Sequence, residues 1–120
     1  MIRVLTVDDK QENLYLLRAL LQGHGCVVDE ASHGAEAIDK ALQAPPDLII
    51  SDLLMPVMDG YTSARKIREI RKEVRLIAQT AYSFSGDMED MAASGFDDFL
   101  IKPIYSGQLI EKLSSYYVKL

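Results

Sequence analysis

Five short apolar runs, each followed by a segment of helical period, constrain this chain more than any other feature. The runs are Ile2–Val7, Cys26–Ala31, Asp47–Asp52, Val74–Thr80 and Phe96–Ile101. Runs of this length, rich in Val, Ile and Leu and bounded by Gly, Pro or acids, read as buried strands. Between them, Leu14, Leu17, Leu20 and Leu21 mark one face of a helix that stops near Gly23 and Gly25. Ala37, Ile38, Ala41 and Leu42 mark a second, which Pro45-Pro46 terminates. Asp59 is placed to cap a third, carrying Ala64, Ile67 and Ile70. A weaker pattern over Ser85–Ser94 closes at Gly95 as a C-terminal glycine, and a last helix presents Leu109, Ile110, Leu113 and Tyr116 or Tyr117.

Strand–helix alternation with short connections predicts an α/β fold: a five-stranded parallel sheet with helices on both faces. Right-handed crossovers leave few topologies, and the flavodoxin-like order 2-1-3-4-5 is expected because it sets the first and third strands side by side. At 120 residues the chain is expected to form one domain, 1–120. A net charge of −5 argues against general binding to nucleic acid or a membrane surface. The single cysteine, Cys26, allows no internal disulfide and fits a small core residue in a reducing compartment. No stretch has the length of a membrane span and no signal peptide is apparent, so a cytoplasmic location is expected.

The chemistry-bearing residues fall at strand ends. Asp8-Asp9 end the first run and Asp52 ends the third. With the first and third strands adjacent, three carboxylates meet at the sheet edge where open α/β folds place their ligands. Two unit charges about 5 Å apart repel by roughly 3 kcal/mol at an effective dielectric near 20. A hard divalent cation relieves that repulsion, and oxygen-only ligands with room for water suit Mg²⁺. A carbonyl of the loop after Asp52 is available as a further oxygen ligand. Thr80 ends the fourth run, with small Ala81 behind it, and Lys102 follows the fifth, ahead of Pro103. A hydroxyl and an ammonium facing a metal-bound carboxylate are the parts needed to hold a transferring phosphoryl group, with Asp52 as nucleophile and Ala81 leaving room for the group to arrive.

Taken singly, each feature has a plainer reading: Asp8-Asp9 as a helix cap and a solvated acid, Asp59-Gly60 as a turn and cap, Thr80 as a strand-end hydroxyl. In order at successive strand ends, they resemble the receiver domains of two-component response regulators, including chemotaxis regulators and the receivers of hybrid histidine kinases. The resemblance spans essentially the whole chain and rests on Asp8-Asp9, Asp52 with Met55-Pro56-Val57-Met58-Asp59-Gly60, Thr80-Ala81 and Lys102-Pro103. It implies that Asp52 is the phosphoacceptor. It further implies that Asp9 and Asp52 ligate Mg²⁺ directly, Leu54 through its backbone carbonyl and Asp8 largely through water. Thr80 and Lys102 would then contact the phosphoryl group, and Phe99 would act as the switch aromatic, with ordinary core packing as its competing reading. The implied partners are a sensor histidine kinase or phosphotransfer protein and a downstream protein or fused output domain. Such a domain assists its own phosphorylation and dephosphorylation but turns over no external substrate. Leu54 and Tyr82 flank the expected path of attacking water, and an apolar Leu54 implies slow self-dephosphorylation.

Three alternatives stand beside this reading. A phosphorylation-independent adaptor of the same fold would be expected to lose the acids or the lysine. An FMN binder would need a Ser/Thr/Gly-rich loop where Asp8-Asp9-Lys10-Gln11-Glu12 stands. An acid-nucleophile phosphatase would want a second acid where Leu54 stands. The chain closes directly after its last helix, so either a single-domain regulator or a receiver excised from a larger protein is expected; the opening Asp8–Arg18 segment resembles hybrid-kinase receivers. The basic residues Arg65, Lys66, Arg68, Arg71, Lys72 and Arg75 interleave with Glu69 and Glu73 and read as a solvated helix face, and His24 and His33 read as surface residues. Gln79 interrupts an otherwise apolar strand without an evident reason.

Overall fold

The computed structural model describes residues 2–53, 59–80, 85–102 and 104–116, apart from the side chains of 85–88 and 116. The strands are β1 (Arg3–Val7), β2 (Val27–Ala31), β3 (Leu48–Asp52), β4 (Arg75–Thr80) and β5 (Asp98–Ile101). The helices are α1 (Gln11–Gln22), α2 (Gly34–Gln43), α3 (Gly60–Ile70), α4 (Ser85–Ala93) and α5 (Ser106–Tyr116). All four strand pairings are parallel, in the order β2-β1-β3-β4-β5. The expected fold class and strand order are therefore those observed.

Alternate strand residues feed two cores, as the two-residue period of a strand requires. Leu5, Val7, Ile49, Leu76 and Ala78 meet Ala37 and Ala41 of α2, Ala64 and Ile67 of α3, and Met91 of α4. On the opposite face Val4, Leu48, Ile50, Ile77 and Leu100 meet Leu17 and Leu21 of α1 and Leu109 and Leu113 of α5. Every residue of β3 is buried, as expected of the central strand of a covered parallel sheet. Cys26 is a buried free thiol just ahead of β2.

Several helix ends follow the local chemistry read from the sequence. Asp59 caps α3 by accepting from the Thr62 N–H at 2.8 Å. Gly95, at φ 99°, ends α4: its N–H reaches the Ala92 carbonyl and the Phe96 N–H reaches that of Met91. That closure takes Phe96 out of the strand, so β5 begins at Asp98 rather than at the expected Phe96. β4 likewise begins one residue late, because Arg75 is the first residue to pair with β3. Two members of the expected stripes, Leu42 and Ile70, lie in the last turns of α2 and α3 and are largely exposed.

Arg65, Lys66, Lys72 and Arg75 are exposed, as a solvated face requires, but Arg68 and Arg71 are partly buried and make contacts the sequence did not suggest. Arg68 donates to the carbonyls of Lys72, Val74 and Gly95 and to the Asp97 carboxylate, tying α3 to the β4 and β5 entry loops. Arg71 donates to the Ala41 and Leu42 carbonyls at the end of α2, and Arg65 to Ser94 Oγ after α4. Arg68 and Arg71 are connectors, because each reaches carbonyls at neighbouring helix and loop ends. His33 is not merely a surface residue either: its Nδ1 accepts from the Glu36 N–H and caps α2, while Glu36 accepts in return from the Ser32 N–H.

Candidate functional site

The site lies where β1, β3, β4 and β5 end. Val7 is in register with Ser51, which brings Asp8 and Asp52, the next residue on each strand, side by side. One carboxylate oxygen from each of Asp8, Asp9 and Asp52 lies within 4.8 Å of the others. Asp8 is fully buried, Asp52 nearly so, and Asp9 is exposed at the mouth.

Lys102 enters from the far side. β5 is two strands from β3, roughly 10 Å at the usual strand spacing, a span that a long flexible stem is suited to bridge. Its N–H bonds the Thr80 carbonyl at 2.7 Å, extending the β4–β5 ladder by one step and fixing where the stem departs. Nζ then stands 3.4 Å from Asp52 Oδ1 and 3.6 Å from Asp8 Oδ2. Three carboxylates against this one ammonium leave two negative charges at the cluster.

The local chain holds these groups in place. The Leu53 N–H donates to Asp52 Oδ1 at 2.8 Å, so the backbone that follows Asp52 orients its carboxylate. Asp8 accepts from the Lys10 N–H and from Asn13 Nδ2, both at 3.0 Å. Burial nevertheless raises the Asp8 carboxyl above its ordinary 3.8; the Lys10 hydrogen bond and Lys102 oppose the shift, and the Asp52 charge adds to it. Gly60 closes the loop, its N–H on the Leu53 carbonyl at 2.9 Å. A Cβ there would stand 2.2 Å from the Asp52 carbonyl oxygen, so only glycine permits this approach.

Among the described residues, the clustered acidic ligand atoms are carboxylate oxygens, as a hard divalent cation prefers, and a 2+ charge would balance the residual 2−. The residues present therefore fit Mg²⁺. Asp8, Asp9, Asp52 and Lys102 converge as expected. Thr80 ends β4 beside them and is partly buried, and Phe99 is half-buried against the α2–α4 core with Lys112 Nζ 6.0 Å from its ring centre. Leu54, Ala81, Tyr82 and Pro103, together with Met55–Met58, lie outside the described residues. Asn13 was not singled out as part of the site from sequence, and Gly60 entered only as the last residue of the motif that follows Asp52. Only the spacing that sets Asn13 in the first turn after Asp8 hinted at the one, and the Asp-Gly pair, read as a turn, concealed the other.

A family model described as the response regulator receiver domain matches residues 4–114, and the chain belongs to that family. It is 39% identical over 122 residues to the hybrid signal transduction histidine kinase L of Dictyostelium discoideum, aligning 95% of the chain but 7% of that kinase. The chain thus spans a small fraction of this relative's length. The chemotaxis protein CheY4 of Vibrio cholerae superposes with a TM-score of 0.93 at 31% identity, covering 98% of this chain and 99% of that one. The receiver domain of the sensor histidine kinase PA1611 of Pseudomonas aeruginosa PAO1, solved with a magnesium ion coordinated in its active-site cleft, superposes at 0.88 with 32% identity and 96% coverage of both chains. Receiver domains are signalling domains of two-component systems. Among the described residues, no helix is long and apolar enough to cross a membrane.

Proposed function

We propose that this domain accepts a phosphoryl group on Asp52 from a histidine kinase or phosphotransfer protein, with Mg²⁺ bound by the acidic cluster, and that acceptance changes a surface read by a downstream partner. The observation that carries this reading is Lys102 Nζ standing between Asp52 and Asp8 beside three converging carboxylates. Asp52 and Asp9 would hold the cation directly, with the Leu54 carbonyl as a third protein ligand and Asp8 acting through water. The cation supplies charge neutralisation at the phosphoryl oxygens.

The step is a displacement at phosphorus. An Asp52 carboxylate oxygen forms the new O–P bond, and the N–P bond of the donor phosphohistidine breaks. Its electron pair returns to the imidazole nitrogen, which takes up a proton. Lys102 neutralises the equatorial oxygens and the Thr80 hydroxyl donates to one of them, with Ala81 giving room. Phe99 repacks as Thr80 moves. Its half-buried position against the core, with Asp98 and Lys112 paired alongside, supports such mobility. The domain is regulatory rather than an enzyme acting on an outside substrate, and a cytoplasmic setting is part of the proposal.

Acetyl phosphate with Mg²⁺ followed by intact mass measurement tests this. Wild type gains one phosphoryl group, whereas omission of Mg²⁺ or the Asp52→Asn substitution abolishes the gain. Equal uptake by Asp52→Asn would refute the assignment.

A further inference from the structure

Gln79 is a buried polar residue of an inner strand whose chemistry the site has not used. It is 1% exposed, and its Nε2 is buried with no hydrogen-bond partner among the described residues. Its neighbours on that sheet face, Ile77 and Leu100, are apolar and fully packed. An apolar side chain would fit the same surroundings without a stranded donor, so the amide carries a cost in this state of the molecule.

Its position gives a use to the carboxamide's other atom, the acceptor Oε1. In register, Gln79 lies between Asp52 of β3 and Leu100 of β5. Lys102, two residues beyond Leu100, must cross the end of β4 to reach Asp52. Gln79 and Lys102 accordingly line one half-open cleft of about 370 Å³ beside α1, with Asn13, Leu17 and Ile104 at its wall and Lys10, Glu12 and Leu16 at its rim. The ammonium presently rests on Asp52 and Asp8, two of the three carboxylates whose oxygens cluster. A divalent cation on those oxygens repels the ammonium, which then needs another acceptor within reach of its stem.

We propose that Gln79 is a positioning residue that receives Lys102 when the acidic cluster takes up a divalent cation. The carboxamide turns its oxygen toward the cleft and accepts from Nζ. That rotation breaks no hydrogen bond of Nε2. Gln79 thus lowers the competition between the protein's own cation and the incoming one, and holds the ammonium one strand away from the acceptor, where a phosphoryl group can draw it back. The inference rests on reading the acidic cluster as a Mg²⁺ site.

The test is Mg²⁺ binding to the unphosphorylated protein by calorimetry, for wild type, Gln79→Leu, Lys102→Met and the double variant, with thermal unfolding in EDTA alongside. Gln79→Leu is expected to weaken Mg²⁺ binding by on the order of tenfold, while unfolding at or above the wild-type temperature because the stranded donor is gone. In the Lys102→Met background the same substitution changes Mg²⁺ affinity little, since no ammonium remains to be received. Gln79→Met, of similar length but without the carbonyl acceptor, takes the place of Gln79→Leu if that variant does not fold. Wild-type affinity in the single variant, or an equal loss in both backgrounds, overturns the inference while leaving the Mg²⁺ site standing. No Mg²⁺ binding by wild type overturns both.

Discussion

Asp8 holds a buried carboxylate against its preference for water, with Asn13, the Lys10 N–H and Lys102 as compensation. Because burial raises its pKa, the folded chain retains a proton there at pH values where the unfolded chain has released it. Between the unfolded and folded values, stability falls as pH rises, and the penalty is complete above the folded value. Acidification of the cation-free protein through the folded value toward 3.8 therefore removes that penalty. Carboxyl-carbon NMR should show Asp8 titrating above 3.8 in EDTA and at lower pH once Mg²⁺ is added; a midpoint at or below 3.8 in EDTA would contradict the assigned cause. Gly60 offers a second test at this scale. A methyl at that position meets backbone on both near contacts, the Asp52 carbonyl oxygen and Leu53 Cα, neither of which can swing aside. Gly60→Ala is expected to cost about 2 kcal/mol or more in urea unfolding and to slow phosphoryl uptake by displacing Asp52. Unchanged stability and uptake would show that the loop yields freely.

The helices and strands were legible where local chemistry alone decides them. Asp59 caps through its carboxylate and Gly95 closes its helix through the positive φ that a missing Cβ allows, and the five apolar runs became five strands. What sequence left hidden was contact between elements. Arg68 sits among alternating charges that suit a solvated face, yet it joins the nearby Val74 carbonyl to Gly95 and Asp97, which are distant in the chain and meet it only once the fold brings them beside α3. For the same reason the helix C-terminal closure at Gly95 displaced the start of β5, since a neighbouring element claimed the Phe96 N–H first. Arg68→Ala should lower stability by roughly 2 kcal/mol, read from the urea midpoint, because it strands several carbonyls and leaves Asp97 without its cation. Lys66→Ala, from the exposed side of the same helix, should fall within about 0.5 kcal/mol of wild type. Equal effects would return Arg68 to the solvated face first assigned to it.

At the level of the whole molecule, the parallel order β2-β1-β3-β4-β5 converts residues far apart in sequence into one charged cleft. Asp8, Asp9, Asp52 and Lys102 were legible because each stands at a strand end, and strand order alone brings them together. Gln79, Asn13 and Gly60 were not, because their roles depend on which side of a strand or loop another element approaches. The same convergence makes the cation-free fold work against itself. Mg²⁺ at a hundredfold its dissociation constant should stabilise the protein by about 2.7 kcal/mol, which raises the unfolding temperature by on the order of 10 °C. Asp52→Asn should raise the unfolding temperature in EDTA and respond less to Mg²⁺; identical scans for both proteins with and without Mg²⁺ would mean the carboxylates do not share a site.

The acceptor itself can be read out chemically. Treating the protein with acetyl phosphate and Mg²⁺, then reducing with borohydride, converts an aspartyl phosphate to homoserine, which peptide mass spectrometry assigns to a position. Homoserine is expected at Asp52 and nowhere else, in amounts that vanish without Mg²⁺. Homoserine at Asp8 or Asp9, or at no position, would contradict the assignment of Asp52 as the residue that carries the phosphoryl group.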